Sequence, residues 1–237
     1  MKNLVACIGL CGLMSTANAD TVVFSNDFNG VLPTEITAGS AAQTGVQSYA
    51  GLGVAGNQFG GNFLRSMTGN TVSLTLNNLP THSTISLGML FAAIDSLDGT
   101  GSYPSGDFFR VTLDGNEIFR ESFANALSSQ VQSYVPPANV ELARRIDLGF
   151  SGPGSYYTDS AYNLGADPVF QNIAHTGSTA TFTFVIEGVG IQDLNDESWA
   201  MDNLQVSVNA VPLPAAAWLL MSGLTGLIGV SRKRKSM

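Results

Sequence analysis

Residues 108–123 read FFRVTLDGNEIFRESF, and this stretch indicates antiparallel β-structure. Two segments rich in aromatic and β-branched residues, Phe108–Leu113 and Glu117–Phe123, predict strands. Between them stand Asp114 and Gly115, the residue pair that favours a type I′ turn, so the stretch predicts a tight hairpin. Asp114 is accordingly interpreted as a turn residue.

Outward from this hairpin, the rest of the chain shows similar β-rich stretches and no helical periodicity of convincing length. One short helical turn is predicted over Asn139–Arg144. Gly39–Gly61 is interpreted as loop or weak strand, and Ser151–His175 as a long irregular segment. The 26 Gly and 9 Pro suit short strands joined by tight turns. Nine strands indicate one all-β domain over residues 20–210, a jelly-roll-like β-sandwich. The seven further strands are predicted over Thr21–Phe24, Val46–Tyr49, Thr71–Leu76, Thr84–Ile94, Arg145–Phe150, Thr179–Glu187 and Trp199–Val208.

The charge of this domain excludes one class of partner. All 18 acidic residues lie between Asp20 and Asp202, where the chain has five arginines and no lysine, which gives a formal charge of −13. Such a surface repels phosphate backbones and favours divalent cations or neutral ligands. We therefore expect no binding to nucleic acid.

The N-terminal residues 1–19 have the pattern of a cleaved export signal. Lys2 precedes an apolar stretch, Leu4–Met14, and Ala17-Asn18-Ala19 forms a small-residue cleavage site before Asp20. The two cysteines of the chain, Cys7 and Cys11, lie within this segment. The mature protein is therefore expected to have neither thiol nor disulfide.

The C-terminal residues 211–237 combine a proline-containing motif, an apolar run over 215–230 and a basic end over 232–235. The run predicts a short transmembrane helix, although its 16 residues are marginal for a bilayer core that needs roughly 20. Its basic end would stay cytoplasmic and leave the acidic domain outside. A plain single-span anchor is the alternative reading. The motif consists of Val211, Pro212, Leu213 and Pro214.

This tail, VPLPAAAWLLMSGLTGLIGVSRKRK, resembles the PEP-CTERM sorting signals of Gram-negative bacteria, in particular the VPLPA variant. The resemblance implies recognition and processing near the motif by an exosortase. It also implies export across the inner membrane, a precursor anchored there by the helix, and a final place at the cell surface or in the extracellular matrix. Proteins of this class accompany exopolysaccharide and biofilm formation.

Four pieces of the central domain resemble the ectodomains common among PEP-CTERM proteins. They are IDSLDG at 94–99, GDFFRVTLDG at 106–115, HTGSTATFTF at 175–184 and DESWAMDNLQV at 196–206. The resemblance implies a lectin-like or carbohydrate-binding-module-like sandwich with no uniform activity. Leu97 departs from the pattern, because many relatives have a tryptophan there, and this removes one candidate aromatic sugar platform.

Acidic and amide residues flank the first and last predicted strands. Jelly-roll carbohydrate modules that resemble this arrangement often join these strands through a structural Ca²⁺, which takes six to eight oxygen ligands in flexible geometry. The alternative is a solvated acidic turn in which Asp202 holds a loop by backbone hydrogen bonds. The predicted calcium ligands are Asp27, Asn29, Asp193, Glu197, Asp202 and Asn203.

A second acidic group consists of Asp95, Asp98 and Asp107, with the Gly- and Ser-rich loop 99–106 between its last two members. Its D-x-x-D-G pattern resembles part of a calcium loop but lacks the twelfth-position glutamate. The group predicts a role in ordering the loop or in binding a ligand.

Signals for catalysis are poor. No cysteine remains after signal removal, and G-x-S-x-G, H-E-x-x-H and P-loop motifs are absent from the sequence. His82 and His175, 93 residues apart, each precede a β-rich stretch and read as turn-capping residues. We predict that the chain is not an enzyme, and paired carboxylates for glycoside hydrolysis are the alternative.

Sugar binding requires exposed aromatic rings with polar groups beside them. Candidate ligand-binding residues in predicted loops are Tyr103, Tyr156, Tyr157 and Tyr162, with Asp159 and Asn163 nearby. The alternative, slightly favoured, is that these tyrosines pack their own loop against the sandwich. Trp199 is predicted to lie in the core.

The sequence therefore predicts an exported surface or exopolysaccharide-matrix protein whose sandwich is stabilised by calcium and contacts glycans. One alternative is a structural or adhesive coat protein with protein partners and no sugar binding. The other is a carbohydrate-active enzyme.

Overall fold

The computed structural model of the protein describes residues 20–100, 106–125, 127–150 and 158–210, which belong to one compact unit, Asp20–Ala210. Short 3-10 turns occur at Gln47–Tyr49, Leu164–Ala166 and Pro168–Phe170. None of the helices in these ranges is long and apolar enough to cross a membrane. The predicted signal peptide, the sorting motif and the helix over 215–230 lie outside the described residues.

Fifteen strands form the described part of the chain. They are β1 Asp20–Asn26, β2 Ile36–Thr37, β3 Ala42–Gly45, β4 Gly53–Val54, β5 Asn57–Gln58, β6 Asn62–Met67, β7 Val72–Asn77, β8 His82–Asp95, β9 Phe108–Leu113, β10 Asn116–Ser122, β11 Glu141–Ile146, β12 Asp159–Asn163, β13 Ile173–Ala174, β14 Thr179–Glu187 and β15 Glu197–Ala210.

The strands form two main sheets. The large sheet has the order β11-β12-β8-β15-β6-β3, with β1 added beside β15 and β13 beside β8, and the small sheet has the order β10-β9-β14-β7-β2. Strands β4 and β5 form a separate hairpin. The two 14-residue strands, β8 and β15, pair along their length at the centre of the large sheet. The prediction of an all-β sandwich is confirmed.

The main core lies between the two sheets, where alternate residues of each strand point inward. Phe91 of β8 lies 4.3 Å from Phe109 of β9, measured between ring centroids, and Trp199 of β15 lies 5.3 Å from Phe109. All three side chains are fully buried. The core position predicted for Trp199 is confirmed.

A second apolar cluster covers half of the outer face of the large sheet. Leu90, Ala92 and Ile94 of β8 point to this face, and Tyr49 and Phe63 are among the residues that pack over them. Because β8 is apolar on both faces here, this half of the sheet is closed to solvent. The other half stays polar and open.

The Asp-Gly hairpin is confirmed. Leu113 pairs with Asn116, and Asp114 and Gly115 have φ values of 51° and 80°. Positive φ at both central positions is the requirement of a type I′ turn.

Four predictions of local structure are wrong. The strand predicted over Arg145–Phe150 is not formed, because β11 already ends at Ile146. A 3-10 turn replaces the strand predicted over Val46–Tyr49, and the helical turn predicted over Asn139–Arg144 is absent because strand β11 occupies Glu141–Ile146. The segment Ser151–His175, read as irregular, contains strands β12 and β13. Pairing with β8 accounts for strands β11, β12 and β13, since β12 and β13 add to β8 and β11 then adds to β12.

Candidate ligand groove and acidic cluster

A groove of about 440 Å³ opens on the polar half of the outer face of the large sheet. It lies where the central strands change partners. Strand β15 pairs with β6 as far as Met201 and with β1 from Leu204 onward, and a bulge at Asp202 and Asn203 separates the two ladders. Strand β8 changes from β13 to β12 between Ile85 and Leu90. The flanking strands therefore leave a gap on each side of the β8–β15 pair.

Hydroxyl and amide side chains dominate the groove. Asp27 is the single charged residue among the described residues that line it, and none of those residues is aromatic. Hydroxyls and amides both donate and accept hydrogen bonds, which suits a ligand that carries many hydroxyl groups. The polar lining residues are Ser25, Asn26, Asp27, Asn57, Ser86, Asn163, Gln171, Asn203, Gln205 and Ser207.

Two glycines line the groove, and their backbones are in close contact. A Cβ atom on Gly165 would lie 3.1 Å from the Cα of Gly88, so the two backbones approach more closely than side chains allow. Across the β8–β15 pair, Gln205 lies opposite Gly88 and Ser207 lies opposite Ser86. A ligand in the groove would therefore meet backbone and short polar side chains.

Two predicted calcium ligands, Asp27 and Asp202, lie near one corner of this groove. Asp27 is exposed, and hydrogen bonds from Asn29 hold the pKa of its carboxyl below the ordinary value. Asp202 is 1 % exposed and accepts hydrogen bonds from the backbone N–H groups of Gly60 (3.1 Å) and Asn203 (2.7 Å). Burial raises the pKa of Asp202 to about 6, with a further contribution from the charge of Asp27.

The two predicted amide ligands, Asn29 and Asn203, bond to other parts of the chain at this corner. Asn29 Oδ1 accepts from the backbone N–H of Asn62 at 2.7 Å. Asn203 Nδ2 donates to Asn57 Oδ1 at 3.0 Å and to the carbonyl of Gln58 at 2.9 Å. Their amide groups hold the β4–β5 hairpin and β6 to the rest of the sheet, and metal binding here stays a prediction.

The remaining two predicted ligands, Asp193 and Glu197, lie away from this corner. Asp193 is exposed, and its Oδ1 accepts from the backbone N–H of Asn195 at 2.8 Å in a local turn. Glu197 begins β15 and is fully buried beside Asp98 and Asp107. The structure thus joins a member of the first predicted acidic group to two members of the second.

The acidic cluster, defined as Asp98, Asp107 and Glu197, joins the two sheets at one end of the sandwich. Asp98 follows β8 of the large sheet, Asp107 precedes β9 of the small sheet, and Glu197 is the first residue of β15. One carboxylate oxygen from each residue lies within 4.8 Å of the others. The three residues are 6 %, 2 % and 0 % exposed.

Each carboxyl of the cluster receives one hydrogen bond from a neighbouring amide. The backbone N–H of Asp98 donates to Asp107 Oδ2 at 2.5 Å, Gln130 Nε2 donates to Asp98 Oδ1, and the backbone N–H of Gln192 donates to Glu197 Oε2 at 2.8 Å. Burial is the main cause of raised pKa values throughout. Burial raises the pKa of Asp98 and raises that of Asp107 to about 6. It also raises the pKa of Glu197 to about 8, to which the charge of Asp107 contributes.

Asp95, predicted to act with Asp98 and Asp107, faces different partners. It is fully buried, its Oδ2 lies 3.6 Å from Arg65 Nη2, and neither of its carboxylate oxygens has a hydrogen bond in the described part of the chain. Burial and the charge of Asp159 raise its pKa to about 8. Asp159 accepts from the backbone N–H groups of Asp95 (2.9 Å) and Leu148 (2.7 Å), and burial raises its pKa to about 6.

The prediction of Tyr162 as a sugar platform is wrong. Its side chain is fully buried, its ring lies 4.9 Å from that of Phe123, and its hydroxyl donates to Gln132 Oε1 at 3.1 Å. Leu97 is also fully buried, so its position offers no platform. The other three candidates, Tyr103, Tyr156 and Tyr157, lie outside the described residues.

Sequence reasoning missed most of the groove. Three residues of the predicted sites, Asn163, Asp27 and Asn203, line it. Other lining residues belong to no predicted site, among them Ser86, Gly88, Gln205 and Ser207. A signal was present, because small or polar residues alternate with apolar ones in these halves of β8 and β15. Such alternation is typical of a sheet face open to solvent.

No protein-family model and no curated protein matches the chain. Among solved structures, it is similar to a family GH115 4-O-methyl-α-glucuronidase with specificity for decorated arabinogalactans (10 % identity, TM-score 0.36, 86 % of this chain and 19 % of that one). It is also similar to the Agl-KA catalytic domain (13 % identity, TM-score 0.33, 88 % of this chain and 30 % of that one). A third similar structure contains the CBM22-1 and GH10 modules of Clostridium thermocellum xylanase 10B with xylohexaose (7 % identity, TM-score 0.28, 83 % of this chain and 29 % of that one). The chain spans less than a third of each, and likenesses this distant assign it no activity.

Proposed function

We propose that this chain is an exported cell-surface or matrix protein whose β-sandwich binds a neutral glycan in the polar groove, without catalysis. The observation that carries the proposal is the lining of the groove. Its amides and hydroxyls match the hydrogen-bonding groups of a sugar, and its 440 Å³ volume lies within the range of small-ligand sites.

The charge of the domain supports a neutral ligand. Eighteen carboxylates against five arginines repel an anionic polymer, and the groove itself has one acidic residue, Asp27, and no basic residue among those described. Export and exosortase sorting form the other half of the proposal. They rest on the sequence of residues 1–19 and 211–237.

The arrangement of carboxylates supports binding over hydrolysis. Glycoside hydrolysis uses a pair of carboxyl groups on either side of the scissile bond. Asp27 is the single carboxylate among the described residues of the groove, and the acidic cluster is at most 6 % exposed. Neither site offers an accessible pair.

Retention of the purified chain on an array of neutral oligosaccharides tests this proposal. Wild type should retain at least one glycan, and Ser207→Trp should abolish retention because an indole at this β15 position fills the groove. Ser73→Trp is the matched control. Ser73 is also a half-buried serine inside a strand with partners on both sides, but it lies on the small sheet.

Ser73→Trp should therefore keep the retention seen with wild type, and circular dichroism should show both variants folded. Absence of retention by wild type on every neutral glycan would refute the sugar-binding function and favour the coat-protein alternative. Equal retention by wild type and Ser207→Trp would place the sugar site outside the groove.

A further inference from the structure

We propose that the acidic cluster Asp98, Asp107 and Glu197 is a buried calcium site that fastens the two sheets together. This site is distinct from the corner around Asp27 and Asp202, and it does not depend on glycan binding in the groove.

The first argument is the charge balance of the cluster. Three carboxyl groups lie within 4.8 Å of one another, and among the described residues no arginine or histidine pairs with any of them. Arg65 lies against Asp95 instead. Buried carboxylates in such a group require either bound protons or a cation, because an isolated buried charge is strongly unfavourable.

The second argument is an unpartnered oxygen of Glu197. The side chain is fully buried, its Oε2 accepts from Gln192, and its Oε1 receives no hydrogen bond within the described residues. This Oε1 belongs to a carboxyl group that borders both Asp98 and Asp107. A buried acceptor is rarely left unsatisfied, so the orphan oxygen requires either a proton shared with Asp107 or a bound cation.

A third observation places a backbone carbonyl near the acidic cluster. A Cβ atom on Gly188 would lie 2.4 Å from the carbonyl oxygen of Gly106 and 3.2 Å from Asp107 Oδ1. Both oxygens therefore pack against Gly188, where only a glycine fits, and the carbonyl of Gly106 lies near the Asp107 carboxyl. Carboxylate and backbone carbonyl oxygens are the usual protein ligands of Ca²⁺, and water completes its six to eight positions.

The chemistry of the cluster selects calcium over other common cations. All candidate ligands are oxygens, which disfavours zinc and copper. Ca²⁺ accepts oxygen ligands in flexible geometry, whereas Mg²⁺ requires a near-ideal octahedron and usually keeps several waters, which a cluster at most 6 % exposed disfavours. Bound there, the ion would link Asp98 at the end of β8, Asp107 at the start of β9 and Glu197 at the start of β15.

Thermal unfolding at pH 7.5 in CaCl₂ and in EGTA, together with equilibrium dialysis of Ca²⁺, tests the site. A ligand bound only by the folded state raises the midpoint, and at a hundredfold excess over Kd we expect a rise of about 5–10 °C. Glu197→Gln and Asp98→Asn should remove both the rise and one equivalent of bound calcium. Glu117→Gln, an exposed glutamate in β10, is the matched control and should change neither.

Other outcomes would overturn the proposal. If the cluster holds only protons, the unfolding midpoint of wild type will not respond to Ca²⁺. Glu197→Gln, which keeps the shape of a protonated carboxyl, is expected to fold in either case. Loss of calcium in Asp202→Asn, with full binding kept in both Glu197→Gln and Asp98→Asn, would place the ion at the Asp27–Asp202 corner instead. If one cluster variant does not fold, the other decides the result.

Discussion

Tyr134 and Tyr162 are two buried tyrosines whose rings lie 5.6 Å apart, yet their hydroxyls bond to chemically different partners. Tyr134 donates to the carboxylate of Asp167 at 2.7 Å, and Tyr162 donates to the neutral amide of Gln132 at 3.1 Å. Asp167 also caps a 3-10 turn by accepting from the backbone N–H of Val169. A single hydroxyl thus helps to fix the segment that carries Asn163 and Gln171 into the groove.

Removal of each hydroxyl should give unequal losses of stability. Hydrogen bonds to charged groups contribute about 1.5–3 kcal/mol and neutral ones about 0.5–1.5 kcal/mol. Tyr134→Phe should therefore lower the free energy of unfolding in urea by about 1 kcal/mol more than Tyr162→Phe does. An equal or smaller loss for Tyr134→Phe would contradict this interpretation, and both variants should keep the m-value of wild type.

At the scale of elements, the bulge in β15 decides where the groove can form. Asn203 has a φ of 48°, and its side chain ties the β4–β5 hairpin to the strand. The left-handed backbone at this point separates the ladder with β6 from the ladder with β1. Asparagine suits the position because it tolerates positive φ better than most residues.

Two substitutions at this bulge separate backbone strain from lost hydrogen bonds. Asn203→Gly removes the side-chain bonds but accepts the φ, whereas Asn203→Ala removes the same bonds and also strains the backbone by about 1–2 kcal/mol. The urea midpoint should therefore fall further for Asn203→Ala than for Asn203→Gly. The reverse order would show that positive φ is not the constraint.

Elements with a strong local pattern were predictable, and those that depend on a neighbour were not. Phe108–Leu113 and Thr179–Glu187 match strands β9 and β14 at both ends. Strand β12 has the sequence DSAYN, which has little β-propensity, and forms because it pairs with β8 and β11.

The same distinction holds for the sites. His82 and His175, 93 residues apart, share a 2.7 Å hydrogen bond, and Glu197 meets Asp98 and Asp107 only because β15 pairs with β8. Neither contact leaves a trace in local spacing. The type I′ turn was predictable because Asp114 and Gly115 meet its backbone requirement by themselves.

At the scale of the whole molecule, an excess of carboxyl groups with raised pKa values sets the response to pH. A group whose pKa is higher when folded binds protons in the native state that it lacks when unfolded, so stability falls as pH rises between the two values. The groups with folded pKa values of about 6 or about 8 are Asp95, Asp107, Asp159, Glu197 and Asp202.

Without calcium, the free energy of unfolding should therefore decline from about pH 5 to about pH 8, as measured by urea titration in EGTA. Calcium should reduce this decline, because the cation replaces protons at the acidic cluster. A free energy of unfolding that rises with pH over this interval in EGTA would contradict the expectation.

The length of β15 has a mechanical consequence. Along its 14 residues, β15 has β8 on one side and β6 followed by β1 on the other, and Asp20 at the start of β1 lies opposite Asn209. Antiparallel hydrogen bonds run perpendicular to their strands, so tension applied at residue 210 along the strand axis loads these ladders together in shear. If the sandwich is tethered through the residues after β15 and a polymer is bound in its groove, tension between the two passes through β15, its most extensively paired strand.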